Sequence, residues 1–300
     1  MSRRGWALFA AMCVIWGIPY LFIKVAVDEI APATLVLGRT GLAALLLMPI
    51  AVARGEIRPL LSRWLPLVAY TIVEICVPWL LLGFAEQRLS SSLTGLLVAA
   101  VPLVGAVLAR LAGGRERLGA RRLSGLLVGL VGVAALVGFD VGAGDATAVV
   151  AVGIVAIGYA VGPMIMSTGL AGLPGMGVVA SSLALAAVLY LPAGIAQAPQ
   201  HWPSARACAA VVVLAVVCTA VAFLVFFKLV AEVGPARSVV ITYLNPAVAV
   251  LLGVAVLDEP FTPTTAVGFV LVLSGSVLAT ARAPRRPVEV SLDEVPCAAA

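Results

Sequence analysis

Charge is scarce in this chain. Of its 300 residues only 11% are Asp, Glu, Lys or Arg, one is histidine, and 6% are aromatic. A chain so poor in charge cannot cover its own surface in water, which excludes a soluble domain of this length. The sole histidine, His201, stands between Pro199 and Pro203 with no metal-ligand spacing around it, so no histidine-based metal centre is expected. The five cysteines, Cys13, Cys76, Cys208, Cys218 and Cys297, form no CxxC pair and no disulfide framework. Four of them fall in apolar runs, where cysteine behaves as a small buried side chain. A nucleotide-binding motif is also missing, and no cofactor is called for.

What fills the chain instead is hydrocarbon: 63% of residues are hydrophobic and the mean hydropathy is +1.16. Crossing roughly 30 Å of lipid takes about 20 apolar helical residues. The charge-bearing breaks cut this chain into ten pieces of that size: 6–27, 32–53, 64–84, 91–110, 122–139, 147–167, 175–196, 207–228, 236–257 and 263–281. The runs are continuous rather than alternating, which predicts an all-α integral membrane protein of ten helices and not a β-barrel.

Lys and Arg set the expected orientation. With the N-terminus inside, the cytoplasmic segments collect Arg3, Arg4, Arg54, Arg58, Arg63, Arg115, Arg117 and Arg285, among others, while the outer loops hold only Arg88 and Arg206. Both termini are then cytoplasmic. The net charge of +5 therefore reports topology and not nucleic-acid binding. The first apolar run is too long for a cleavable signal peptide and lacks a small-residue cleavage site. The segment after residue 281, with Pro284, Pro287 and Pro296 among charges, is expected to be a disordered cytoplasmic tail.

The chain repeats itself. Residues 239–278 echo residues 96–136, so that Pro102 falls on Pro246, Thr94 on Ser238, Glu116 near Glu259 and Gly125 on Gly268. Tyr159, Pro163 and Pro174 stand, more weakly, where Gly17, Pro19 and Pro32 stood. The repeats are placed at 1–139 and 140–281, with 282–300 as the tail. Five spans is an odd number, so the second repeat enters the membrane upside down, which is a familiar basis for alternating access.

Within the spans the polar residues are few. Trp16, Tyr20 and Lys24 lie at i, i+4, i+8 on a helix that Pro19 should kink. Lys24 is read either as part of a site or as an anchor reaching toward the headgroups. Arg39 lies about two turns inside its span, where insertion costs about 2.5 kcal/mol or more. It must face a partner, a broken-helix carbonyl or substrate. Glu74 stands near the centre of the third span, four residues before Pro78, whose missing amide should free the Glu74 carbonyl. That pair could take a proton or a cation; the alternative is a neutral acid bonded across a helix interface. Aligned on the second repeat, Lys24 falls on Met166, Arg39 on Ser181 and Glu74 on Ala220, so the deep charges belong to the first half alone. Pro102 should free the Val98 carbonyl in a span that opens with Ser90, Ser91, Ser92 and Thr94. Ser238, Thr242 and Asn245, at i, i+4 and i+7, form the second half's polar stripe. They serve either a site or interhelical hydrogen bonding. Gly125 and Gly129 have the spacing that permits close helix approach within the chain or in a homodimer.

Trp16-Gly17, Lys24, Pro32, Arg39, the turn from Ala85 to Ser92, Pro102, Gly-Arg-Glu116 and Gly125, with Pro246, Glu259 and Gly268 repeating the later part, resemble an EamA-type member of the drug/metabolite transporter superfamily over residues 6–281. The resemblance implies a ten-helix inner-membrane carrier, its cavity lined by the first four helices of each repeat. It also implies export of amino acids, metabolites or drugs. The substrate-binding or coupling residues expected on all these grounds are Trp16, Tyr20, Lys24, Arg39, Glu74, Thr94, Tyr159, Ser238, Thr242 and Asn245. The expected partners are a small-molecule substrate, H+ and the lipid bilayer. Glu74 lies outside the pattern of the resemblance, so proton coupling through it rests on depth and chemistry.

Two other classes compete. Gly142-Ala143-Gly144-Asp145 spells the GxGD word of intramembrane aspartyl proteases, but that chemistry needs two aspartates sharing a buried proton, and Asp140 and Asp145 fall in one outer loop. A small-residue scaffold would use Gly125 and Gly129 yet leave Arg39 and Glu74 without a purpose. The terminal Cys297-Ala298-Ala299-Ala300 matches a prenylation word that an alanine-rich chain produces by chance.

Overall fold

The computed structural model describes residues 1–111, 120–140, 145–234, 238 and 240–280. Arg115, Glu116, Gly142 to Gly144 and the tail with Cys297 lie outside the described residues. Among those described there is no strand. The helices, in chain order, are α1 (Arg3–Ile15), α2 (Pro19–Val27), α3 (Pro32–Ala53), α4 (Trp64–Tyr70), α5 (Val77–Glu86), α6 (Ser91–Val98), α7 (Val101–Leu111), α8 (Ala120–Asp140), α9 (Ala146–Thr168), α10 (Gly175–Ala196), α11 (Ala205–Ala215), α12 (Ala222–Val233), α13 (Ile241–Leu257) and α14 (Pro263–Thr280).

Several pieces are halves of one span. Taken so, among the described residues seven helices are long and apolar enough to cross a membrane, and three apolar ones, Leu123–Val137, Ile241–Leu257 and Pro263–Ala279, are shorter. The span expected to start at 236 shows its continuous helix from Ile241; residues 235–237 and 239 lie outside the described set. Leu45, Val52, Val150, Val188, Ile195, Leu251 and Val270 point outward and are well exposed, the reverse of a soluble surface and as lipid requires.

The breaks follow the prolines. Pro19 occupies the first position of α2, after a turn at Trp16–Ile18. Pro102 occupies the second position of α7, after Ala99 and Ala100. Two further interruptions are π-helical turns, over Thr71–Cys76 and Val216–Val221, which continue α4 into α5 and α11 into α12. A π turn adds one residue to the backbone ring. Accordingly, the Val77 amide bonds Ile72 O and the Ala222 amide reaches Val217 O.

This register moves one expected feature. The amide that Pro78 lacks falls due at Val73 and not at Glu74, because the ladder there runs five residues back. Val73 O instead faces Gly158 of α9, where a Cβ would stand 2.5 Å away.

Pairing between the halves is reciprocal. α3 packs along α10, α8 along α14, α6 on α13, α2 on α11 and α5 on α9. Exchange of the halves maps this set of pairs onto itself, α2 with α11 onto α5 with α9 and the other three pairs onto themselves. Loop acids tie the halves at the helix N-termini, where amides lack intrahelical acceptors. Glu56 accepts from Gly177 N at 2.9 Å on α10, and Glu29 from Ser204 N at 2.6 Å and its hydroxyl at 2.5 Å before α11. Glu259 accepts from Ser91 N at 2.7 Å and Ser92 N at 2.9 Å on α6. The Ser204 hydroxyl and then its amide hold the exposed Glu29 carboxyl below its ordinary value.

These ties also sort the ends of the bundle. Ser2 meets Glu232, and Arg63 donates to Gly169 O at 2.9 Å, at one end. Glu29–Ser204, Arg88–Thr147 and Glu259–Ser91 mark the other. Asp145, just before α9, belongs to this second end, away from the centre of the spans.

The small-residue stripe of α8 is spent inside the chain. A Cβ on Gly125 would run into Ala279 N and lie 2.8 Å from Gly275 O, and one on Gly132 would lie 2.7 Å from Val272 N, all on α14. Gly129 is filled by Leu103 and by Gly275. The face expected to be available for a homodimer is therefore occupied by α14 of the same molecule.

Because backbone blocks it, Gly125→Ala should cost about 1–3 kcal/mol as overpacking and lower the thermal unfolding midpoint. Gly153→Ala, on α9 with nothing within 4 Å, should leave that midpoint unchanged or slightly raised. Equal melting of the two variants would contradict the packing described.

Candidate functional site

A cavity of about 920 Å³ lies between the halves. It begins among Tyr70, Arg110, Met166 and Phe227, on the turns nearest the Ser2–Glu232 end, and runs inward to Ile23, Arg39, Leu82 and Val98. Arg110 at its mouth is exposed. Beyond its floor, at the opposite end, sit Lys24, Glu86 and Glu259.

Eight of the ten expected site residues line it: Trp16, Tyr20, Arg39, Glu74, Tyr159, Ser238, Thr242 and Asn245. Lys24 and Thr94 do not. Lys24 Nζ points to the end of α5, donating to Glu86 O at 2.6 Å and Leu89 O at 3.2 Å. It is not a cavity wall; it closes the last carbonyls of a helix, where cations are favoured. Thr94 is fully buried, with its hydroxyl returned to Ser90 O of its own helix at 3.0 Å.

The break before Pro19 turns the end of the first half-helix toward the cavity. Trp16 sits there against Phe226, with ring centroids 4.8 Å apart, and edge-on to Phe223 at 6.0 Å. The break also releases a carbonyl, since the Gly17 amide bonds Val14 O and passes over Cys13 O. Asn245 takes it. With the amide turned so that its nitrogen faces the acceptors, Nδ2 donates to Cys13 O at 3.2 Å and Ile241 O at 2.9 Å. Asn245 is thus committed to holding two helices together. Gly17 permits this approach, for a Cβ there would run into Val248. The break before Pro102 is closed likewise: the Leu103 amide bonds Ala100 O, and Ser276 of α14 donates to Ala99 O at 3.0 Å. The carbonyl captured is Ala99, one residue past the expected Val98. Ser238 lines the cavity but spends its hydroxyl proton on Gly234 O at 2.9 Å.

Arg39 has the most defined environment. It is 7% exposed, donates from Nε to Thr219 Oγ1 at 3.0 Å, and lays its guanidinium over the Trp79 ring, with Cζ 3.6 Å from the centroid. A desolvated contact of this kind is worth about 2 kcal/mol or more. Thr219 in turn donates to Leu214 O, five residues back, at 2.8 Å, a carbonyl presented by the π turn. Arg39 is thus fixed by a hydroxyl and an aromatic face, without an ion pair to Glu74 among the described residues.

Glu74 enters the cavity from the other π turn. Its Oε2 is buried with no hydrogen-bond partner. It lies so close to Gly162 of α9 that a Cβ there would collide with it. The two turns correspond: Glu74 and Thr219 are each the fourth residue of their turn. Glu74 therefore matches Thr219 and not Ala220, and a polar residue does recur at that depth.

Sequence reasoning missed Trp79, Thr219 and the Phe223, Phe226, Phe227 wall. Trp79 carried the same signal as Trp16, an indole deep in a span and away from the interfacial belts. Thr219 was hidden by an alignment one residue out, and the phenylalanines look like any lipid-facing apolar residue.

An all-helical membrane bundle enclosing an aromatic cavity with one fixed cation and one unpaired acid has the build of a small-molecule carrier. The family model of EamA-like transporters matches residues 3–138 and again 146–281, so the chain belongs to the EamA-like transporter family. It is 29% identical over 249 residues to the uncharacterized inner membrane transporter YedA of Escherichia coli strain K12, a match covering 82% of this chain and 80% of that protein. The YedA proteins of strains O6:H1 and O157:H7 match equally. A solved crystal structure shares the fold with a TM-score of 0.67 at 20% identity, covering 92% of this chain and 96% of its own.

Thr219→Val should leave Arg39 Nε and Leu214 O unpaired and destabilise the protein by about 1–3 kcal/mol, whereas Thr219→Ser should melt close to the parent. Thermal unfolding in lipid discs checks this; a valine variant as stable as the parent would refute the anchoring of Arg39.

Proposed function

We propose that this protein is a secondary transporter that exports a small metabolite, amino acid or drug from the cell by alternating access, in the inner membrane, with a proton coupled at Glu74. The observation that carries the reading is the placement of Arg39 and Glu74 on one aromatic-walled cavity. Its volume of about 920 Å³ falls within the roughly 300–1,000 Å³ of small-molecule sites. Arg39 offers the donors left after Nε to an anionic group. Trp16, Tyr20, Trp79 and Tyr159 offer faces for an apolar body, and Glu74 takes a proton or the substrate's cationic group.

The alternating-access part draws on the halves, placed at 1–139 and 140–281, with 282–300 as a cytoplasmic tail. Each half carries five spans, so the second is inverted relative to the first. The self-mapping helix pairs and the matched π turns at Glu74 and Thr219 support this. With the Ser2–Glu232 end in the cytoplasm, as the Lys and Arg distribution favours, the cavity faces inward. Against an aspartyl protease stands Asp145 at the end of the bundle, remote from the cavity.

Reconstituted vesicles test the reading. Amino acids and cationic drugs should be moved in a way that depends on an imposed pH gradient. Arg39→Lys should lower transport of an anionic or zwitterionic substrate at least tenfold (about 1.4 kcal/mol), because a point charge does not replace a planar fork held by Nε. If Glu74 carries protons, Glu74→Gln should keep binding and passive exchange while losing gradient-driven transport. If it pairs with a cationic substrate, binding itself should weaken and Glu74→Asp should restore part of it. Undiminished gradient-driven transport by well-expressed Glu74→Gln protein would remove Glu74 from the mechanism.

Cysteine labelling from either side tests the topology. The N-terminus, C-terminus and residue 115 should be reached only from the cytoplasm, and Asp258 and Glu259 only from outside. External labelling at 115 would overturn the inverted arrangement.

A further inference from the structure

Past the floor of the cavity lies an acid that this reading does not use. Glu86, the last residue of α5, is 0% exposed, and both of its carboxylate oxygens are buried without a hydrogen-bond partner. The charged and titratable groups facing it are Lys24 and Tyr20 from α2, Arg39 from α3 and Glu259 from the loop before α14. At the start of α9, which also packs on α5, Thr147 accepts from Arg88, two residues past Glu86, and Asp145 stands just before that helix. From α6 come the hydroxyls of Ser91 and Ser92, likewise buried and without partners.

None of these hydrogen-bonds or ion-pairs with the carboxylate oxygens among the described residues. Lys24 Nζ is spent on two backbone carbonyls, Glu86 O and Leu89 O. Both oxygens of Glu259 are spent on the amides of Ser91 and Ser92. Arg39 is turned to Thr219 and Trp79. A sealed, unbonded carboxylate is far costlier than the neutral acid. A metal ion is disfavoured by the ammonium beside it and by the prior commitment of the Glu259 oxygens, whereas a proton needs only one carboxyl oxygen.

We propose that Glu86 is a second protonation site, separate from Glu74, which holds a proton while this end of the bundle is closed and releases it to water when the end opens. The inference rests on the alternating-access reading. On opening, the carboxylic acid transfers its proton to water. Lys24, released from the two carbonyls, is then free to pair with the carboxylate. Closing reverses both, the proton being taken from the aqueous phase at that end. Glu74 and Glu86 lie on one span about 18 Å apart along the axis, on opposite sides of the Arg39 floor, so opening of the bundle at one end exposes only one of them. The closed end binds one proton more than the open end. Raising the pH therefore favours opening, by about tenfold per pH unit between the titration of the open state and the higher titration of the closed state.

The test needs no substrate. In vesicles carrying the full chain with Leu89→Cys and Cys297→Ser, a membrane-impermeant maleimide is applied from the side of residue 89. The exposed Cys208 serves as the reference for thiol ionisation. The normalised labelling rate at position 89 should climb with pH, by about tenfold per unit over part of the range. Adding Glu86→Gln should make it slow and flat, and Glu86→Asp should displace the profile. A flat profile in the parent, a parental slope in Glu86→Gln, or a rate that follows sodium at fixed pH would overturn the proposal. Should Glu86→Gln fail to fold, an undisplaced profile in Glu86→Asp would do the same. Failure of every candidate substrate to move would count against the transport reading and leave this profile as it stands. Transport with a pH dependence unaltered by Glu86→Gln would sink the second site alone.

Discussion

Backbone carbonyls cannot be left bare in hydrocarbon, and the architecture of this protein follows from how it meets that constraint where its helices break. Straight helices satisfy themselves. This bundle interrupts four of its spans, at Trp16–Ile18, Thr71–Cys76, Ala99–Ala100 and Val216–Val221, and at three of the breaks a side chain takes a carbonyl by a contact described above. Asn245 takes Cys13 O, Ser276 takes Ala99 O, and Thr219 takes Leu214 O. Two of these come from the opposite half, so the repair of those two broken helices is also a bond between halves.

The same breaks make the cavity. A continuous helix would turn Trp16 and Glu74 by its own regular pitch. The turn before Pro19 and the π turn before Val77 let the chain change direction at mid-depth and aim those side chains into shared space. Arg39 shows the energetic logic. It is held at depth by a neutral hydroxyl and an aromatic face instead of a carboxylate, so its charge is oriented without being cancelled, while Glu74 stays unpaired across the cavity. A buried Arg39–Glu74 ion pair would have neutralised the two groups most able to recognise a polar ligand.

At the closed end the arrangement differs. Lys24 and Glu259 serve helix termini, one on carbonyls and one on amides, and Glu86 is left between them with nothing. Packing on the apolar side is settled by small residues. Gly125, Gly132 and Gly275 bring α8 and α14 to backbone contact, which spends within one molecule a face that would otherwise be open to a second copy.

The sequence alone determined the class, the apolar helices, the breaks at Pro19 and Pro102 and the family. These depend on local quantities: the length of an apolar run, the missing amide of proline, the order of short motifs along the chain. The depth of Arg39 and Glu74 was equally legible, because depth is counted along a helix. Facing was not, since rotation about the axis depends on what packs alongside and on single-residue changes of register. A π turn shifted the released carbonyl from Glu74 to Val73 and the counterpart of Glu74 from Ala220 to Thr219. Only the tertiary structure turned Lys24 from a site residue into a helix cap, committed Asn245 to a carbonyl, and set Trp79 and Thr219 around Arg39. It also sealed Glu86, because burial of a helix terminus is decided by the neighbouring helices and not by the residues that spell it.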